Sequence, residues 1–271
     1  MKKTLLLLIS LGFLGFNASH SIAYELDFIG DKVQGGLVIG KVAPGVNVSF
    51  RNKRIRVSEQ GYFLLGFDRD EAQTVYYTLE FPDSSKEIKS IQIAQRNYKE
   101  ESISGLASNK VKPSQAELER INKEQAYFDH ARKIDDPRED FLQAFIWPLN
   151  GRISGVYGSR RILNGTPKRP HYGLDIAAPE GTSVRAPADG LVSLNQPDLF
   201  YTGVTVMLDH GHGLSTLYIH MSESSVELGQ RVRQGDVIGA VGKTGRATGP
   251  HLHWGMSLFG TRLDPQLMLE D

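Results

Sequence analysis

Between residues 24 and 104 the apolar positions come in short bursts with a period of two. Val46, Val48 and Phe50 alternate with polar neighbours, as do Val75, Tyr77, Leu79 and Phe81, while Ile88, Ile91 and Ile93 add a further set. Successive strand residues point to opposite faces, so this period marks strands with one buried side. Gly35-Gly36, Pro44-Gly45, Gly61 and Pro82-Asp83 break the runs. The pattern predicts a small all-β domain over 24–104, of sandwich type. Within it Asp68, Arg69 and Asp70 read better as a charged hairpin turn than as a cation site. From 105 to 140 the texture changes to Lys, Glu, Gln and Arg with scattered apolar residues. Ser114 followed by Glu117 is a capping box that starts a helix, with Leu118, Ile121 and Phe128 on one side and Pro137 beyond its end. A helical linker between two domains is expected. From Phe141 the chain is strand-like again: 204–208, a Gly-His-Gly turn and 214–220 read as a hairpin, and 237–242 and 252–254 bring the count to at least six strands. A second β domain over 141–271 makes the whole chain mainly β.

The first 23 residues stand apart. Lys2 and Lys3, an apolar run from Leu5 to Phe16 and small residues ending at Ala23 have the layout of a secretory signal peptide. The run is shorter than the roughly 20 residues a membrane-spanning helix needs, so a soluble mature protein with no membrane span is expected. The chain has no Cys at all, which excludes disulfides, thiolate metal sites, a Cys nucleophile and a lipid-modified N-terminus. Without the signal segment 29 basic residues face 31 acidic ones, a balance that argues against nucleic acid as a partner. The local cluster Arg160, Arg161, Lys168, Arg169 is the exception, and a solvated loop explains it as well as a binding role does.

Histidine carries the chemical signal. Six of the eight fall between His171 and His253, whereas His130 in the linker reads as an ordinary surface group. On an extended segment His171, Gly173 and Asp175 share a face, and His251 and His253 share another. On adjacent strands these pairs offer zinc two imidazole nitrogens and a carboxylate oxygen, with a fourth position left for water, the pattern of a catalytic site rather than a structural one. His210 and His212 repeat the two-residue spacing, but they sit where the hairpin reverses and are expected to flare toward solvent. His220, expected to end the second hairpin strand on the face of Thr216 and Tyr218, is placed to meet the metal pocket without ligating.

These residues resemble the LytM/lysostaphin-type zinc endopeptidases, which cleave peptidoglycan peptides. The resemblance runs from Trp147-Pro148 and Gly158-Ser159-Arg160 through His171-Tyr172-Gly173-Leu174-Asp175 and Tyr218-Ile219-His220. It closes with Thr248-Gly249-Pro250-His251-Leu252-His253 and Leu263-Asp264-Pro265. It implies an antiparallel β domain with an active-site groove and one zinc ion per chain, held by His171, Asp175 and His253. It implies that His220 and His251 are non-ligating catalytic histidines, and that Asp209-His210-Gly211 is a turn outside the metal site. The segment 161–167 resembles Gram-negative relatives, whose substrate is the D-alanyl to diaminopimelate cross-link; glycine-bridge cleavage is the alternative within the enzyme class. Periplasmic export follows from the same reading.

Two rival readings come from other classes. Some relatives of this type are catalytically idle activators of other wall hydrolases, although here all five family positions are occupied. Residues 229–238 resemble the turn-rich strands of biotinyl and lipoyl carriers, but Lys243 lacks a carrier's surroundings, and shared strand geometry explains the likeness better. For the N-terminal β domain two roles are expected, self-inhibition by covering the groove or docking of a partner, an adaptor protein or a glycan.

Overall fold

The computed structural model describes residues 26–269; the expected signal peptide lies outside them. The N-terminal part is two small antiparallel sheets. One contains β1 (Phe28–Ile29), β2 (Leu37–Lys41) and β5 (Tyr62–Gly66), the other β3 (Asn47–Phe50), β4 (Lys53–Ile55), β6 (Thr74–Glu80) and β7 (Lys86–Gln92). Val38, Phe63 and Leu65 of the first sheet meet Val48, Val75, Tyr77, Leu79 and Ile91 of the second in one core. Ile88 is the exception in the predicted apolar set. It stands three residues from Ile91 along β7, an odd spacing, so it points to the other face and is 72% exposed.

The next strand, β8 (Glu100–Ile103), leaves these sheets and pairs in parallel with β10 (Arg160–Leu163), which in turn pairs with β11 (Thr166–Lys168). A short helix α1 (Ser108–Val111) and a long helix α2 (Gln115–Ala131) follow. Ser114 and Glu117 close the predicted capping box at the start of α2. Phe128 and Ala131 bury against Leu194, Met207, Leu217 and Ile219, but Leu118 is exposed, so only the C-terminal half of the helix packs.

A ten-stranded sheet forms the rest. Its strands are β9 (Arg152–Gly155), β12 (Leu174–Ala177), β13 (Ser183–Arg185), β14 (Gly190–Leu199), β15 (Gly203–Asp209), β16 (Leu214–Ser224), β17 (Arg231–Val232), β18 (Val237–Val241), β19 (His251–Leu258) and β20 (Thr261–Leu263). The main path runs β17-β14-β15-β16-β19-β12-β9 and is antiparallel throughout. The hairpin predicted around Gly211 is β15–β16. Leu37 and Leu64 of the N-terminal part enter the core of this large sheet beside Leu258 and Leu263. Arg69, in the charged turn, is buried there: its Nε donates to Gly158 O at 2.7 Å and its guanidinium stacks on Tyr98. Among the described residues no helix is long and apolar enough to cross a membrane.

Candidate metal centre

β12 and β19 lie side by side with Asp175 opposite His253 and Ala177 opposite His251. Opposed residues of an antiparallel pair project to the same face, and so do residues two apart. Asp175, His251 and His253 therefore share one side of the sheet. His171 arrives differently. The strand begins at Leu174, so His171 is not on it, contrary to the extended segment expected from spacing. A turn delivers it: its N–H donates to Ser159 O, its carbonyl accepts from Gly158 N–H, and its Nδ1 donates to Val156 O at 3.0 Å.

That last bond decides the tautomer. A backbone carbonyl can only accept, so Nδ1 carries the proton and Nε2 presents a lone pair. His171 Nε2 lies 3.0 Å from Asp175 Oδ1 and 2.9 Å from His253 Nδ1, and those two atoms are 2.8 Å apart. Three donor atoms thus converge on one point. Tetrahedral zinc ligands at roughly 2.0–2.2 Å stand about 3.4 Å from one another, so an outward shift of about half an ångström admits the ion. Two imidazoles and one carboxylate suit an open zinc site. All three side chains are buried. The other Asp175 oxygen, Oδ2, accepts from Arg161 Nη2 at 2.5 Å, which orients the carboxylate from outside. Gly173 leaves the room for this: a Cβ there would stand 2.6 Å from His253 Nε2.

The electrostatics favour a ligating state. Burial alone would raise the Asp175 carboxyl, but the adjoining His171 and His253 outweigh it and hold it well below the usual carboxylate range. Burial pushes His253 down to about 4 against the pull of Asp175, so it is neutral at pH 7. Deprotonated carboxylate and neutral imidazole are the forms that bind metal.

His220 lies beside this group, its ring 4.8 Å from that of His251 and 6.3 Å from that of His253. It does not end its strand. β16 continues to Ser224, and His220 marks the point where the strand leaves β19 for β18. Nor does strand alternation place it, because Tyr218, two residues earlier, is packed with Trp254 in the core on the opposite side of the sheet. At φ 65° the backbone of His220 is left-handed, which breaks the alternation and turns the ring to the metal side. Its Nδ1 meets Thr244 O at 2.8 Å and His251 Nδ1 meets Gly249 O at 2.9 Å, so in both rings Nε2 is left for the cleft. Burial, reinforced by His251 and His253, lowers His220 to about 3 and keeps it neutral.

His210 and His212 are outside the site, as expected, but they do not flare into solvent. Both are buried. His210 bridges Asp189 O and Thr216 Oγ1, and His212 packs on Phe141. The turn is covered by the segment 136–141, which accepts from His212 N–H at Asp136 O and donates from Phe141 N–H to His210 O.

The site opens into a cleft of about 300 Å³ lined by Asp175, His220 and His251 together with Arg152, Arg161 and Arg246, and by Ile103 and Leu106 from the segment before α1. Spacing did not single out Arg246 or Arg152 as site residues, and it treated Arg161 only as part of a basic cluster. Arg246 precedes His251 by only five residues and Arg161 precedes His171 by ten, but neither interval is a strand or helix repeat that would place the side chains on one face.

The model described as Peptidase family M23 matches residues 169–265. The chain is 46% identical over 114 residues to the DD-carboxypeptidase/endopeptidase Mpg of Neisseria meningitidis, an alignment covering 42% of this chain and 26% of that protein. It is 39% identical over 143 residues to the peptidoglycan DD-endopeptidase ShyA of Vibrio cholerae, covering 50% of this chain and 32% of that one. The chain thus spans about a third or less of the length of these curated relatives. A candidate M23 peptidase structure from Pseudomonas aeruginosa superposes with a TM-score of 0.69 at 29% identity, over 88% of this chain and 95% of that one.

Proposed function

We propose, from the match of residues 169–265 to peptidase family M23, that the chain is a zinc-dependent endopeptidase that hydrolyses D-alanyl to diaminopimelate cross-links of peptidoglycan. The observation that carries this reading is the convergence of His171 Nε2, Asp175 Oδ1 and His253 Nδ1 within 3.0 Å of one another, with two further imidazoles facing the same cleft. His171, Asp175 and His253 would hold one zinc ion. When bound, the ion lowers the pKa of a coordinated water toward about 7 and polarises the scissile carbonyl.

The remaining work belongs to the chain itself. His220 and His251, each fixed through Nδ1 to a backbone carbonyl, direct Nε2 at the reacting groups. A neutral Nε2 accepts the proton of the attacking water, the resulting imidazolium donates to the tetrahedral oxyanion, and the proton then passes to the leaving amine. Arg161 keeps the Asp175 carboxylate in place through Oδ2. The substrate is the peptide stem of the wall, residues 1–23 export the chain to the periplasm, and the N-terminal β domain regulates the cleft or docks an adaptor.

Incubation of purified cross-linked muropeptides with the chain tests this. Expected is release of uncross-linked stems, abolished by a chelator and restored by added zinc. Cross-links that stay intact with a zinc-loaded chain reduce it to a wall-binding or activator role.

A further inference from the structure

Three guanidinium groups, from Arg152, Arg161 and Arg246, line the cleft that holds the histidines and Asp175. Arg161 is neutralised by Asp175, with Glu101 Oε2 a further 3.8 Å from its Nε. Among the described residues the other two have no carboxylate partner. Arg246 is the more constrained. Its N–H donates to Tyr201 O, its guanidinium lies 4.6 Å from the Tyr201 ring centroid, and it follows by two residues the Thr244 whose carbonyl orients His220. Withdrawal from water disfavours its cation and the nearby Arg161 charge adds to this, with only Tyr201 acting in its favour; among the described residues no carboxylate pairs with it. A half-buried, stacked and unpaired arginine at the edge of a catalytic cleft is set up for an anion that arrives with the substrate, and the planar fork of guanidinium selects a carboxylate.

The proposed cross-link supplies one. In the bond between D-alanine and diaminopimelate the scissile nitrogen is attached to a carbon that also bears a free carboxylate, whereas a glycine bridge has none next to the bond cut. We propose that Arg246, with Arg152 as the second cation of the wall, receives the carboxylate on the amine side of the scissile bond and so selects a diamino-acid cross-link over a neutral one. This deepens the endopeptidase reading and rests on it. Arg246 binds and orients; it takes no part in proton transfer.

The test compares two cross-linked stem dimers, one with that carboxylate free and one with it as the carboxamide, using the zinc-loaded chain. Losing a charge-assisted bidentate contact costs about 10- to 100-fold in kcat/KM, so the wild-type chain should prefer the free acid by about that factor, chiefly through KM. Arg246→Gln should bring the ratio near one while keeping the wild-type zinc content, and Arg246→Lys should keep part of the preference. A wild-type chain indifferent to amidation, or an Arg246→Gln variant with the ratio unchanged, overturns the assignment. Cleavage of neither dimer by the wild-type chain sinks the endopeptidase reading instead. In that event calorimetric binding of the same dimers still decides on Arg246, since equal affinity for acid and amide refutes it and a preference lost in Arg246→Gln upholds it.

Discussion

At the scale of single residues, what distinguishes this site is that the orienting partners are backbone carbonyls. Val156, Thr244 and Gly249 each fix the Nδ1 of one histidine, so that tautomer and ring direction are set before any substrate binds. Roles then follow from position. His220→Ala and His251→Ala should each keep one zinc per chain by metal analysis and lower muropeptide release by about 10²- to 10⁴-fold, the range of a lost acid–base group. Wild-type rates in both variants would remove these residues from the chemistry. Arg161 works one layer further out. Arg161→Met leaves His171, Asp175 and His253 intact but frees Asp175 Oδ2, and zinc affinity in a chelator competition should fall about 10- to 100-fold. Unchanged affinity would mean that the strands alone orient the carboxylate.

At the scale of elements, β16 is the strand on which most depends. Its first half pairs with β19 and its second with β18, and the left-handed His220 is the joint. Its hairpin with β15 is anchored at the turn by buried His210, which burial pushes down to about 4. The folded state refuses a proton that the unfolded chain takes at about 6.5, so this histidine's contribution is fully present above that pH and is lost as the pH falls toward about 4. The neighbouring Asp209, raised by burial to about 6, acts in the opposite direction, which makes a paired comparison necessary. Urea midpoints of metal-free wild-type and His210→Gln chains, followed from pH 7 to pH 4, should show a steeper loss in the wild type. Parallel curves would show that the ring is not held neutral. The periodicity of β3 and β6 was readable from the chain because one buried face imposes a period of two on local sequence, whereas β15 and β16, buried on both faces, were readable as two largely apolar runs around a Gly-His-Gly turn. The covered turn was not, because its lid, 136–141, belongs to another element.

At the scale of the molecule, the N-terminal sheets and the cleft are joined by one run of chain. β8 pairs with β10, which carries Arg161; Leu106 and Val111 bury against Leu163; and Lys110 Nζ donates to Phe200 O and sits over its ring. The segment 103–111 thus connects β10 to the tip of the β14–β15 hairpin, and Ile103 and Leu106 line the cleft. If self-inhibition operates, this segment is the part that imposes it, since the β sheets dock elsewhere, on Leu258, Leu263 and Asp264. Leu106→Glu places a charge in that apolar cluster, which is unfavourable enough to loosen the segment. Wall digestion should then become severalfold faster at unchanged zinc content. Equal or slower digestion would leave docking as the role of the N-terminal part.

The sequence by itself determined the mainly β character, the capped helix between two strand-rich regions, and the crowding of His171, Asp175, His220, His251 and His253, since each is written in local period or residue type. Only the tertiary structure decided which atoms meet. His171 and His253 are 82 residues apart, and their contact depends on the β12–β19 register and on a turn at 156–159. His220 reaches the metal side through one left-handed residue in a long strand, and Arg161 and Arg246 come from loops and short strands that no spacing rule connects to it. Convergence of distant side chains is a property of register and backbone conformation, and neither is encoded in the spacing of neighbours along the chain.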